Sequence, residues 1–264
     1  LYSRLAQIYK EKQDYAKAAE YLQRYVSNHV LDASAHYRLG LLLTLSDPQT
    51  ALSELINASQ LDPELDPAVQ TLRTALNLAS LSDTPSAQLV VIGRGLGLVS
   101  EWELAQAAFA QAIQADENNA EAWAWLGEAQ QQAGNTARVE LSRNEAFSSL
   151  ERALSLNPNS SVVRGLRGLY FQRVGNNREA LTEFQAAATK WAGEEVQHGR
   201  ALGRWAALAD PAFDFEASFA RFTAGFRPPI EARESVRGSR AGELVARCIV
   251  EVGTASYYSA LGEA

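Results

Sequence analysis

Groups able to carry out chemistry are few in this chain. Cys248 is the only thiol and there are three widely spaced histidines. An ordinary zinc cage needs three or four close Cys, His or carboxylate ligands, so these residues do not supply one, and a single cysteine forms no internal disulfide. Cys248, flanked by Arg247 and Ile249, reads as a small buried hydrophobe. His29 and His36 read as boundary and packing residues. The run Val90-Val91-Ile92-Gly93-Arg94-Gly95-Leu96-Gly97 has the look of a phosphate-binding turn, an apolar stretch followed by glycines spaced two apart. Its last glycine falls one residue early, with Leu98 in the required place, and no strand–helix–strand context surrounds it. No serine elbow, no His-Glu-x-x-His and no Walker loop occurs. The chain is therefore expected to be noncatalytic, with no cofactor and no metal.

What remains is recognition chemistry: five tryptophans, nine tyrosines and a scatter of arginines. Where such groups point depends on the elements that carry them, and those elements repeat. Leu5-Ala6, Leu39-Gly40, Ile92-Gly93, Leu126-Gly127 and Arg167-Gly168 place a large residue before a small one, and the small residues are 34, 53, 34 and 41 residues apart. A second ladder agrees with the first. Ala18, Ala51, Ala105, Ala146 and Ala180 are each followed four residues later by Leu22, Leu55, Phe109, Leu150 or Phe184. A fixed period in this range dictates an architecture of stacked units, and small residues at helical spacing mark the places where two helices approach closely. Between the paired helices stand Lys12-Gln13-Asp14, Ser46-Asp47-Pro48, Ser100-Glu101, Gly134-Asn135 and Gly175-Asn176-Asn177, which cap or break helices. Leu61-Asp62-Pro63 and Leu156-Asn157-Pro158 close two of the units.

With these residues the chain resembles the tetratricopeptide repeat (TPR) family. Trp123, Leu126-Gly127, Gly134-Asn135, Ala146, Leu150, Ala153 and Pro158 trace one unit of that pattern in order. Departures are Val30 and Glu117 at the position of the terminal proline, and Arg167 where an aliphatic residue is usual. The resemblance implies an all-α fold, an α-α superhelix that is a right-handed solenoid of antiparallel helix pairs. Five hairpins are expected at about 1–31, 32–64, 86–118, 120–159 and 160–192. The spacing of 53 leaves room for one extra helix over about 67–80, with Asp66 as its N-cap, lying outside the stack or collinear with the helix after Pro85. Seven further residues near Thr136–Arg143 lengthen a turn or a helix start. Residues 193–264 read as a degenerate repeat over Glu194–Leu208 and Phe215–Phe226, then C-terminal helices over Ala241–Leu261, serving as a cap or as the start of further repeats.

The resemblance also implies where partners bind, because stacked hairpins line a concave face with their first helices. Side chains of those helices directed away from the hairpin core include Arg4, Gln7 and Glu11, then Tyr37, Arg38 and Leu41, then Val90, Val91 and Arg94. Glu121, Trp125, Glu128 and Gln132 follow, with Leu169, Gln172 and Arg173. Aromatic and Arg anchors between polar residues are the composition of a peptide-binding surface. The candidate partner-binding residues are therefore Tyr37, Arg38, Arg94, Trp125, Glu128, Gln132 and Arg173, with Arg38 and Arg94 suited to an acidic or carboxylate-bearing ligand. The Lys and Asn set with which some family members hold a C-terminal carboxylate is not matched, since Ser3, Gln7, Tyr37, Val90 and Val91 occupy several of those positions.

Charge and hydropathy narrow the partner class. Lys and Arg total 24 against 31 Asp and Glu, a net charge of −7, which disfavours nucleic acid because phosphate binding relies on clustered cations. From Gly95 to Ala137 there is no Lys or Arg and there are six acidic residues, which reads as a solvated acidic face, the alternative being a surface that attracts a basic partner or docks the Arg-rich tail from Arg227 to Arg247. The most apolar stretch, Leu89–Val99, is interrupted by Arg94 and falls short of the roughly 18 apolar residues a membrane helix needs. A protein or peptide ligand is expected, with no nucleic acid and no membrane insertion; the alternative is a docking region of a larger enzyme or signalling protein. Met is absent even at residue 1 and Leu1-Tyr2-Ser3 is already in a helical pattern, so the chain is expected to be a segment of a longer one. No compartment follows from the residues, the cytoplasm being the default expectation.

Overall fold

The structure, a computed structural model, describes residues 1–134, 139–210 and 214–225, and every regular element among them is helical. Inter-residue contacts divide the chain into two units, Leu1–Val196 and Gln197–Ala264. The first holds α1 (Tyr2–Glu11), α2 (Tyr15–Val26), α3 (Ala33–Leu43), α4 (Pro48–Leu61), α5 (Asp66–Ser80), α6 (Pro85–Leu98), α7 (Trp102–Ala115), α8 (Ala120–Ala133), α9 (Val139–Leu156) and α10 (Ser161–Arg173). Helix α11 (Asn177–Ala209) begins there, and α12 (Phe215–Gly225) belongs to the second unit, where the Asp214 carboxylate accepts from the Ala217 N–H at 2.9 Å. No described helix is long and apolar enough to cross a membrane.

Local chemistry sets the helix ends. Asp14, Asp32, Asp47, Thr84, Asn119 and Ser160 each accept at 2.9–3.2 Å from the backbone N–H three residues on, satisfying a donor the helix itself leaves open. The opposite ends of α1, α6 and α10 turn over through Gln13, Ser100 and Gly175, all at positive φ. In each case the next residue's N–H reaches a carbonyl five residues back (Asp14 to Tyr9, Glu101 to Leu96, Asn176 to Phe171), which closes a Schellman turn and reverses the chain.

Within each hairpin the two ladders interlock. A Cβ placed on Gly40 would come within 2.7 Å of Leu55, on Gly93 within 2.5 Å of Phe109, on Gly127 within 2.8 Å of Leu150 and on Gly168 within 2.6 Å of Phe184. The small residue of the first helix is thus the seat for the bulky residue of the second, and Leu55, Phe109 and Leu150 are buried to 1% exposure or less. Gly97 seats the Trp102 ring in the same way, which accounts for the glycine run in α6 as packing rather than phosphate binding.

Loops between hairpins are tied by a device that recurs in register. His36, Gln88, Trp123 and Arg164, each the fourth residue of its helix, donate to the carbonyl six residues earlier: Val30 at 3.1 Å, Ser82 at 3.1 Å, Glu117 at 2.9 Å and Pro158 at 2.8 Å. Asp62, Asp116 and Asn157 also accept from the backbone two residues on, so the turn before α8 forms with Glu117 in place of proline.

The inserted helix differs from both expected placements. It packs alongside α6, where a Cβ on Gly95 would come within 2.4 Å of the Ala75 Cβ. Val69, Leu72, Leu76 and Ala79 join the same core as α3, α6 and α7, so burial of this apolar face draws α5 into the stack. Asp66 is its first residue rather than its cap, following a turn of 3-10 helix over Pro63–Leu65 whose cap is Asp62. α11 likewise runs on to Ala209, so the helix expected over Glu194–Leu208 is its continuation. The expected helices over Ala241–Leu261, the Arg-rich stretch from Arg227 to Arg247 and Cys248 lie outside the described residues.

Candidate functional site

Arg94 and Trp125 bring together two first helices, α6 and α8. One turn of α6 beyond Val90 and Val91, Arg94 is exposed, and its guanidinium lies over the Trp125 ring of α8 at 5.2 Å from the ring centre. Trp125 in turn stacks on the buried Phe109, with centroids 6.2 Å apart and planes at 21°, so the ring face that receives Arg94 is fixed from behind. A cation held over an indole gains about 0.5–1 kcal/mol at an exposed site while its N–H groups stay free to donate sideways. The Trp125 indole N–H is buried and has no acceptor. Beside Arg94 opens a groove of about 480 Å³, lined by Val91, Asn118, Asn119, Glu121 and the end of α9 at Leu156–Asn157.

Four of the other candidate residues stand in two groups. Glu128, only 5% exposed, is gripped by Arg173 of α10 through two bonds of 2.6 and 2.8 Å, and Gln132 donates to the same carboxylate at 2.9 Å. Arg173 also donates to Gln131 at 2.7 Å. These three residues satisfy one another and tie α8 to α10. Arg38 donates to Gln7 at 3.1 Å, joining α3 to α1 on the same face. Leu41 and Val90, expected on the open face, are instead buried at 2% and 5% exposure within the continuous core.

Tyr37 is half-buried because the α6–α7 turn lies close to it. Burial, and then the nearby Glu101 carboxylate, raise its phenol above the usual range. The same turn is fastened to the first hairpin by an ion pair from Lys10 to Glu101 at 3.1 Å and by the Tyr15 hydroxyl donating to the Glu103 carbonyl at 3.3 Å. Burial chiefly, with Glu103 and Glu101 adding to it, pushes Tyr15 up to about 12. Residues about ninety apart in sequence are thus joined.

Other residues have roles that spacing alone does not reveal. Arg167 replaces the usual aliphatic because it is a strut: it bonds Glu151 at 2.5 Å and the buried Glu183, and lies 4.9 Å over Phe171. Arg164 reaches the same Glu183 at 3.0 Å. His36 pairs with Glu54 at 2.5 Å, and His29 stacks on Tyr25 at 4.0 Å. Trp123 ties its loop through the indole N–H, and both Trp123 and Trp125 pack against the two core clusters. Among the described residues no cluster of His, Cys, Asp and Glu could hold a metal ion.

This arrangement of interlocked hairpins with an aromatic and arginine face defines an all-α helical-repeat protein. Residues 3–67 match the profile of the tetratricopeptide repeat family. The chain is similar to the solved structure of MamA, at 18% identity over 72% of this chain and 96% of that one, with a TM-score of 0.35. MamA from Desulfovibrio magneticus RS-1 gives 18% identity over 73% and 94%, with a TM-score of 0.35. YrrB, described as a TPR protein with an unusual peptide-binding site, gives 15% identity over 72% and 84%, again with a TM-score of 0.35. Among curated proteins no sequence matches the chain.

Proposed function

We propose that this protein is a noncatalytic interaction scaffold that holds a peptide or partner protein on the face formed by the first helices of its hairpins. The reading rests on Arg94, whose exposed guanidinium is oriented by the Trp125 ring and has no carboxylate partner among the described residues. A preformed anchor of this kind needs little ordering on binding, so more of the contact energy becomes affinity. Tyr37 and Arg38 extend the face, while Glu128, Gln132 and Arg173 hold α8 and α10 at the right separation. Affinity capture with the intact chain and with a Tyr37→Ala, Arg38→Glu, Arg94→Glu, Trp125→Ala variant tests this. At least one captured protein should be lost from the variant; identical sets of captured proteins would refute the assignment of this face.

A further inference from the structure

The inserted helix creates a second surface, along the α5–α6 pair. The two helices approach closely at Ala75 and Gly95, and those small residues help line a groove of about 650 Å³. Its walls are Thr71, Thr74 and Leu78 of α5 and Val91 and Leu98 of α6. Leu78 is 45% exposed and Leu98 78% exposed, and with Val91 they line one continuous hollow, which distinguishes them from isolated surface leucines.

Charge says what the hollow accepts. Between Arg38 and Arg138 the only cationic side chains are Arg73 and Arg94. Both lie at this groove: Arg94 lines it, and Arg73 donates to Gln70, which lines it too. Neither has a carboxylate within ion-pair distance among the described residues, although carboxylates are the other charged groups throughout that span. Arginine matches a carboxylate through two parallel N–H donors, whereas a basic segment at the same place would meet like charge.

We propose that the α5–α6 groove binds a peptide segment in which aliphatic side chains stand beside a carboxylate. The aliphatic groups settle over Ala75 and Gly95 between Leu78 and Leu98, and the carboxylate is taken by Arg94 or Arg73. The site shares Val91 and Arg94 with the face proposed above and otherwise stands apart from Tyr37, Arg38 and Trp125.

The test uses random twelve-residue peptides displayed on phage and selected against the intact chain. Selected sequences are then synthesised with fluorescein and titrated by fluorescence anisotropy. They should carry an aliphatic residue close to Asp or Glu. Binding should weaken at least about tenfold in a Leu78→Ser, Leu98→Ser variant and in an Arg73→Gln, Arg94→Gln variant, and stay within about twofold in a Tyr37→Ala, Arg38→Gln variant. Exchanging the acidic residue of the peptide for Asn should weaken binding to the unaltered chain about tenfold, a reading that requires no altered protein to fold. The groove is refuted if no sequence is enriched, if the enriched sequences are basic, or if neither groove variant changes affinity. Loss confined to the Tyr37, Arg38 variant also refutes the groove while supporting the first-helix face; loss confined to the groove variants supports the groove and counts against Tyr37 and Arg38.

Discussion

Four different side chains do one job in four hairpins. His36, Gln88, Trp123 and Arg164 share a register but no chemistry beyond an N–H donor that reaches back six residues, so the device cannot be found from residue type alone. Two of them do more. His36 and Arg164 also pair with Glu54 and Glu183, each the seventh residue of the following helix, so the same strut is built once from imidazole and once from guanidinium. His36 is 6% exposed and faces an acceptor at each ring nitrogen, the Glu54 carboxylate and the Val30 carbonyl. Replacing it by Ala leaves two partly buried acceptors without a donor, at a cost of about 2 kcal/mol. Thermal unfolding followed by circular dichroism should show His36→Ala melting roughly 4–8 °C lower, a range set by the chain length. A change below about 1 °C would mean that water replaces the imidazole at both acceptors.

Helix ends and helix seams account for the elements. The Schellman turns after α1 and α6 put Gln13 at φ 60° and Ser100 at φ 65°, where the turn after α10 has Gly175 at φ 82°. A side chain in the left-handed region costs about 1 kcal/mol that glycine avoids. Ser100→Gly should therefore raise the urea midpoint, by a gain of about 0.5–1 kcal/mol, because the hydrogen bonds of the turn are unchanged and only the backbone strain is relieved. A lower midpoint would show that the unfolded chain's added freedom outweighs that relief. These turns were legible as breaks, since Lys12-Gln13-Asp14 and Ser100-Glu101 interrupt the apolar pattern, but their handedness was not. The hairpin seams were legible: a small residue on one helix and a Leu or Phe on its partner recur because their volumes must sum to the same helix separation. The inserted helix was legible as a helix, and its position was not, because an amphipathic stretch specifies that one face must be buried without naming the surface that buries it.

At the scale of the whole molecule, the clasp between the first hairpin and the α6–α7 turn is the contact of longest sequence separation described. Its bond from Tyr15 depends on a neutral phenol. Tyr15 stays protonated in the folded chain up to about pH 12, while an unfolded chain ionises tyrosine near its ordinary value of about 10. The stability it contributes is therefore whole below pH 10 and is lost as the pH rises toward 12. Urea unfolding across that window should show a falling free energy, and Tyr15→Phe should flatten the fall, having no proton to lose. Equal slopes for the two chains would place the alkaline loss at other tyrosines, among them Tyr25, Tyr37 and Tyr170, whose phenols are also raised.

The sequence by itself determined the helical class, the hairpin seams and the candidate anchors, because each follows from residue volume, capping chemistry and a period counted along one chain. Tertiary structure decided which anchors are open. Glu128 and Arg173, equally plausible as ligand-binding charges, neutralise each other across forty-five residues, while Arg94 is left free over Trp125. It also decided that α5 should lie beside α6, placing Arg73 and Arg94 at one apolar groove. Ion pairing and helix placement are contests among all surfaces brought together by folding, and a periodic pattern records only that each surface must find a partner.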